Sequence, residues 1–158
     1  MLRIEAAALA AMREHAEEGF PEEICGVVFA SPAGQIVRRM TNIQNRLYAA
    51  DPAANPCDAR TAYQPDEREL LEVNKAGEQP GWRILLFYHS HPNHGAYFSA
   101  TDKAQALWGG PDDMAEPAYP GVAYLVISVY DGTVRDVKAY AWDEAARDFL
   151  EIPFAGGA

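Results

Sequence analysis

Two cysteines, Cys25 and Cys57, are all that the 158 residues contain. They are too few for a disulfide framework and too far apart for a cysteine-based zinc site, so reduced thiols and a cytoplasmic location are the simplest expectation. Basic residues are also scarce: 13 Lys and Arg stand against 23 Asp and Glu, for a formal net charge of −10. Such a surface repels phosphate backbones, which makes nucleic acid a poor partner. It suits ordinary solubility, or a partner with a basic face. No apolar run is long enough to span a membrane. Ala8-Leu9-Ala10 superficially resembles a signal cleavage site, but Glu5, Arg13 and Glu14 interrupt the apolar core that a secretory signal needs. No internal repeat or linker divides the chain, so residues 1–158 are expected to form one domain. A chain of this length needs no staple for its core, so a metal site in it points to function.

The elements follow from periodicity. Residues 4–18 read as a helix, with Ile4, Ala8, Met12 and His15 or Ala16 on one side and Gly19 as the stop. Residues 24–30 are a continuous apolar run, hence a buried strand, and Ser31-Pro32-Ala33-Gly34 turns it back into a strand over 35–41. Residues 49–60 read as a surface loop, and Tyr63 as part of a short strand. Pro65 opens a helix that runs to about Lys75. Residues 82–88 are the clearest strand, with Pro92 expected to stop its ladder. A helix is expected from Ser99 to Trp108, ended by Gly109-Gly110-Pro111. Residues 122–130 and 134–142 form a hairpin across Asp131-Gly132. Residues 149–154 read as a last strand, and the tail with Gly156-Gly157 as frayed. Hairpins mixed with three helices give an α+β fold.

The chemistry gathers at few positions. His89 and His91 are two apart at a strand end, so both imidazoles point to one face and can meet on one metal. Seven residues separate His91 from Ser99, and two separate Ser99 from Asp102. A loop of that length can return the start of a helix to the histidines, giving Asp102 as a third ligand with a fourth position open. Each fragment has a second reading: a hydrogen-bonded histidine pair, and a Ser-x-x-acid helix cap. A base is also needed, and spacing alone leaves Glu22 and Glu23 equally open. Cys25 opens an apolar strand and reads as a small core residue rather than a nucleophile. Cys57 lies in a polar loop, and His94 reads as a loop histidine facing solvent.

Taken jointly, His89-Ser90-His91-Pro92 with Ser99 and Asp102 at these spacings resembles the JAMM motif of the MPN-domain (Mov34/PAD-1) metalloproteases. The segment Pro21-x-Glu23-x-Cys25-Gly26 resembles the glutamate-bearing start of small bacterial members. The resemblance implies a single MPN/JAB-like domain whose mixed, curved sheet is flanked by helices in a cytidine-deaminase-like arrangement. It implies one catalytic zinc ion on His89, His91 and Asp102. Glu23 becomes the residue that polarises the zinc-bound water and shuttles its proton, and Ser99 the one that stabilises the tetrahedral intermediate. Ser90 matches a Ser or Thr position that is not a ligand. Phe98 departs from the Pro that similar proteins often carry.

The activity implied is hydrolysis of a peptide or isopeptide bond after the C-terminus of a ubiquitin-like protein, as a deubiquitinase-like enzyme or in processing a sulfur carrier. The partner is then a ubiquitin-like protein or its conjugate, with no nucleic acid and no membrane. Two alternatives are a catalytically silent protein-binding scaffold and a metallohydrolase of a small amide. Intact Glu23 and Ser99 favour the enzyme, because a scaffold needs neither.

Overall fold

The computed structural model describes residues 1–109 and 114–157. Its elements are β1 (Leu2–Ile4), α1 (Ala6–Gly19), β2 (Cys25–Ser31), β3 (Gly34–Met40), α2 (Gln44–Ala50), α3 (Glu67–Gly77), β4 (Arg83–Pro92), α4 (Ala100–Gln105), β5 (Ala123–Tyr130), β6 (Thr133–Asp143), β7 (Asp148–Ile152) and β8 (Phe154–Gly156). Six strands form one mixed sheet in the order β3-β2-β4-β5-β6-β7. Only β4 and β5 run parallel in it; every other neighbour is antiparallel. This is the α+β architecture expected from the sequence. Among the described residues, no helix is long and apolar enough to cross a membrane.

Both faces of the sheet are covered, which explains why β2 and β5 read as continuous apolar runs rather than alternating ones. On one face, Ala8, Met12 and Ala16 of α1 pack with Val28, Leu86, Leu125 and Ile127. On the other, Val73 and Ala76 of α3 pack with Val27, Phe29 and Met40. An aromatic cluster of Phe98, Tyr124, Tyr140 and Phe149 lies beside them under α4. The central strand β4 therefore serves two layers by parity, with Leu86 and Tyr88 towards α1 and Phe87 towards the opposite side. Tyr88 lies over Gly26, its register partner on β2, where an added Cβ would come within 2.3 Å of the phenol ring. Glycine at that position is what lets the ring approach β2 so closely. The Tyr88 hydroxyl reaches the His15 Nδ1 of α1 at 2.7 Å.

Several boundaries differ from expectation. Ile4 belongs to β1, so the first helix starts at Ala6. Helix α2 ends at Ala50, inside the stretch read as loop; Ile43 at its N-cap offers no side-chain cap to betray its start. Tyr63 is not in a strand: the pairing nearby is one isolated bridge, Asn42 with Pro65. Pro65 precedes rather than opens α3, because Asp66 is the cap and accepts the Arg68 and Glu69 N–H groups. Pro92 does not stop the ladder but is the last residue paired to β5, opposite Val129. The next donor, Asn93 N–H, closes on the Val129 carbonyl at 2.6 Å. Helix α4 is shorter than expected, because Leu107 bridges to Pro117 and Trp108 N–H donates to the Glu116 carbonyl. The Gly110-Pro111 stop expected after it lies outside the described residues.

Pro153 splits the last strand in two, and the tail is not frayed: β8 pairs parallel with β1, and Gly157 N–H donates to the Ile4 carbonyl. The expected hairpin turn is present, with positive φ at both Asp131 (51°) and Gly132 (78°).

Burial, with help from Arg39, pushes His15 down from 6.5 to about 4. The fold thus prefers neutral His15. Above pH 6.5 the imidazole is neutral in both states and costs nothing; below it the unfolded chain takes a proton that the fold refuses, so stability falls down to about pH 4. His15→Gln in the metal-free protein is expected to remove up to about 2–3 kcal/mol of this acid-dependent loss. Urea midpoints measured from pH 7.5 to 4 for both proteins check it, and parallel curves would exclude His15 as the cause.

Candidate metal centre

The C-terminal end of β4 delivers two buried imidazoles, His89 and His91, to the same face of the sheet. Their Nε2 atoms lie 3.2 Å apart. The first turn of α4 delivers Asp102, whose Oδ2 stands 3.1 Å from His89 Nε2 and 3.2 Å from His91 Nε2. A tetrahedral ion with bonds of about 2.0 Å needs ligand atoms about 3.3 Å apart. The triangle of acceptors has the size that such an ion requires, and without a cation or a proton its lone pairs would face one another.

Each corner is oriented from behind. The Gly95 carbonyl lies 2.8 Å from His91 Nδ1. A carbonyl only accepts, so Nδ1 carries the hydrogen and Nε2 turns its lone pair towards Asp102. Tyr63 stacks on His89, with ring centroids 4.5 Å apart and 23° between the planes. Ser99 N–H donates to Asp102 Oδ2 (2.9 Å), and Asp102 N–H donates to Ser99 Oγ (3.0 Å), a complete capping box. The cap and the ligand-like placement are thus the same two residues. Phe98 stacks on Tyr140 at 5.4 Å and roots this turn in the aromatic cluster.

Charges follow the geometry. Burial opposes ionisation of Asp102, but His89, His91 and the Ser99 N–H outweigh it and hold the carboxyl well below the usual range. Burial pushes His89 down. It also acts against a charge on His91, where the Asp102 hydrogen bond and the Gly95 carbonyl prevail and raise the pKa.

Glu23 and Glu22, inseparable by spacing, part in space. Glu22 is exposed and holds the Asn45 amide at 3.0 Å. Glu23 is buried, and its carboxylate lies with the ring nitrogens of His89 and His91 inside a set of mutual distances of at most 4.8 Å. Glu23 can therefore also serve as a metal-binding carboxylate, but Asp102 makes the tighter triangle with the histidines. Burial, reinforced by Asp102 and opposed by His91, pushes Glu23 up to about 8.

Its backbone is held by two neighbours. Glu23 N–H donates to the Ala59 carbonyl (2.7 Å), and the Asn42 amide donates to the Glu23 carbonyl (2.9 Å). Ser90, between the histidines, latches the next residue: Ile24 N–H donates to Ser90 Oγ (2.9 Å), and Ser90 N–H to the Ile24 carbonyl (3.1 Å).

Glu23, His91, Ser99 and Asp102 line a cleft of about 260 Å³ together with Thr61, Tyr63, His94, Tyr97 and Gln105. Tyr63 and Gln105 were not foreseen as parts of the site; the Gln105 amide donates to the Tyr63 carbonyl at 2.9 Å and joins α4 to the loop before α3. His94 is exposed, as expected, and stands on the rim. Cys25 is buried and its thiol is pushed up to about 12, mainly by burial, so it is not a ready thiolate. Cys57 is exposed.

The family described as prokaryotic homologs of the JAB domain matches residues 5–143. A desampylase from Haloferax volcanii is 32% identical over 145 residues, covering 89% of this chain and 86% of the relative. A CysO-cysteine peptidase from Mycobacterium tuberculosis is 29% identical over 140 residues, covering 89% and 82%. The fold is also that of a JAB1/MPN domain protein from Archaeoglobus fulgidus, with a TM-score of 0.52, 13% identity and complete coverage of both chains.

Two outcomes are expected of the metal-free protein. Ser90→Ala leaves the Ile24 N–H without its buried partner and should lower unfolding free energy by about 1–3 kcal/mol, read from denaturant curves. Glu23 is held protonated by the fold. Below pH 4.5 it is neutral in both states; from there to about 8 the unfolded chain gives up a proton that the fold keeps, so stability falls as pH rises. Glu23→Gln should therefore raise the melting temperature relative to wild type at pH 8.5, with the gap closing towards pH 4.5.

Proposed function

The chain belongs to the prokaryotic homologs of the JAB domain, and from that premise we propose that it is a zinc-dependent peptidase cleaving the bond that follows the C-terminus of a ubiquitin-like protein. The observation that carries this is the convergence of His89, His91 and Asp102 within 3.2 Å, with the Glu23 carboxylate beside the histidine pair. The relatives' names supply the substrate class: a desampylase, and a peptidase acting on a CysO–cysteine adduct. The reading takes residues 1–158 as one domain, and two free cysteines suit a cytoplasmic location.

His89, His91 and Asp102 would hold the ion, and the two imidazoles and one carboxylate suit zinc. When bound, it supplies Lewis-acid chemistry at the scissile carbonyl and eases the deprotonation of water. Glu23 takes the proton of the attacking water and passes it to the leaving amine, as the water oxygen bonds to the carbonyl carbon and the C–N bond breaks. Burial that makes a carboxyl reluctant to ionise suits a group that must both accept and return a proton near neutral pH. Ser99 Oγ accepts the Asp102 N–H through a lone pair, so its own O–H is free to donate to the oxygen that gains charge. The buried acid Glu23 has no evident use in a silent scaffold, which speaks against that alternative.

Metal analysis and cleavage assays on the purified chain test the reading together. Wild type is expected to carry zinc and to hydrolyse a ubiquitin-like conjugate, and His89→Ala to lose both. Glu23→Gln should keep the metal while kcat falls by about 10²–10⁴-fold. Full activity in a metal-loaded Glu23→Gln protein would refute the role given to Glu23. A wild type without metal, and indifferent to His89→Ala, would refute the enzyme.

A further inference from the structure

A groove lined by Pro21, Arg60, Thr61, Pro92, Asn93 and His94 opens beside the cleft. Thr61 and His94 belong to both, so the two spaces meet at a common rim. Both sides of the groove are built rather than loose. Arg60 follows Ala59, whose carbonyl holds the Glu23 N–H at 2.7 Å. Its own N–H donates to Asp58 Oδ1 (2.9 Å), and the Thr61 and Ala62 N–H groups donate to the Asp58 carbonyl. Opposite, Asn93 takes a positive φ of 57°, and Ser128 Oγ donates to the His94 carbonyl. Arg60 is one of the cations that face no carboxylate among the described residues, and of the 13 Lys and Arg it alone lines this groove.

The position of Glu23 says which end of a substrate enters this groove. The group that returns the proton must stand beside the departing nitrogen, so the leaving group lies on the Glu23 side of the site. Pro21 and Arg60 adjoin Glu23 through the chain and through Ala59, whose carbonyl takes the Glu23 N–H. In a chain of net charge −10, an exposed guanidinium carried on a hydrogen-bonded backbone turn there favours an anion. We propose that Arg60, with His94, receives the free α-carboxylate of a single amino-acid leaving group, so that adducts ending in one amino acid are preferred over conjugates to a protein lysine. This rests on the peptidase reading above. The chemistry separates the two leaving groups. An α-amine carries its carboxylate two bonds from the nitrogen, at a constant offset from the breaking bond. A lysine ε-amine in a protein has no carboxylate there, because its own is tied up in the backbone.

The test uses the metal-loaded full chain and three substrates built on one ubiquitin-like carrier ending in Gly-Gly. These are its adduct with cysteine, the same adduct as the carboxamide, and its isopeptide conjugate to a protein lysine. Wild type is expected to favour the free carboxylate over the carboxamide by roughly ten-fold or more in kcat/KM, mostly through KM. Arg60→Gln should bring that ratio close to one, and Arg60→Lys should recover part of it. Arg83→Gln, at the remote start of β4, should leave the ratio as in wild type. Equal turnover of carboxylate and carboxamide, an undiminished ratio in Arg60→Gln, or a preference for the lysine conjugate overturns the inference while the peptidase reading stands. Failure of the metal-loaded wild type to cleave any of the three takes both down.

Discussion

Two imidazoles and a carboxylate held within 3.2 Å of one another in a buried place constitute the constraint to which the surrounding structure answers. Left to themselves, such groups would turn apart or take up protons, because buried polar atoms cost free energy without a partner. Here the turning is blocked. A carbonyl takes one nitrogen of His91, a stacked ring lies on His89, and a backbone N–H at a helix start takes the same Asp102 oxygen that faces both rings. Each of the three groups is thus oriented by a neighbour outside the triangle, so their convergence does not depend on the three alone.

The triangle depends on distant parts of the chain through short links. Asp102 is positioned by Ser99, Ser99 by Phe98, and Phe98 by the aromatic cluster against β5, β6 and β7. Glu23 is positioned by Ala59 and Asn42, while Ser90 latches the residue that follows it. Glu23 and the histidine pair therefore share one rigid frame, although 66 positions separate Ile24 from Ser90. Precision of this kind comes from packed elements rather than from a long loop.

Much of this was legible in the sequence, for definite reasons. The strand end with alternating histidines follows from two-residue periodicity, and the Ser-x-x-Asp turn from capping chemistry. Asp131-Gly132 declares its turn through two residues that tolerate positive φ. What escaped shares one property, dependence on contacts remote in sequence. Tyr63 sits beside His89 because Gln105 and the loop after α2 put it there, and no local pattern marks a stacking partner. The choice of Glu23 over Glu22 is a matter of which side chain faces β4. The Gly156 tail is ordered because β1 lies next to it, which terminal composition alone does not reveal.

β4 gives the last link between stability and chemistry. From Leu86 on, its residues alternate between two environments: Leu86 and Tyr88 belong to the core against α1, while His89 and His91 turn to Asp102 and His91 lines the cleft. A slip of one residue would send both imidazoles into the apolar layer and bring Tyr88 into the cleft. The register is therefore set twice over. β5 pairs with it from Leu86 to Pro92, and β2 pairs from the other side with Gly26 cleared for the Tyr88 ring. Core substitutions on the α1 face should disturb the site only by moving the strand as a whole, and substitutions on the cleft face should disturb the core little. One strand thus divides its work by parity, and the apolar layer that anchors Tyr88 is what keeps His89 and His91 aimed at Asp102.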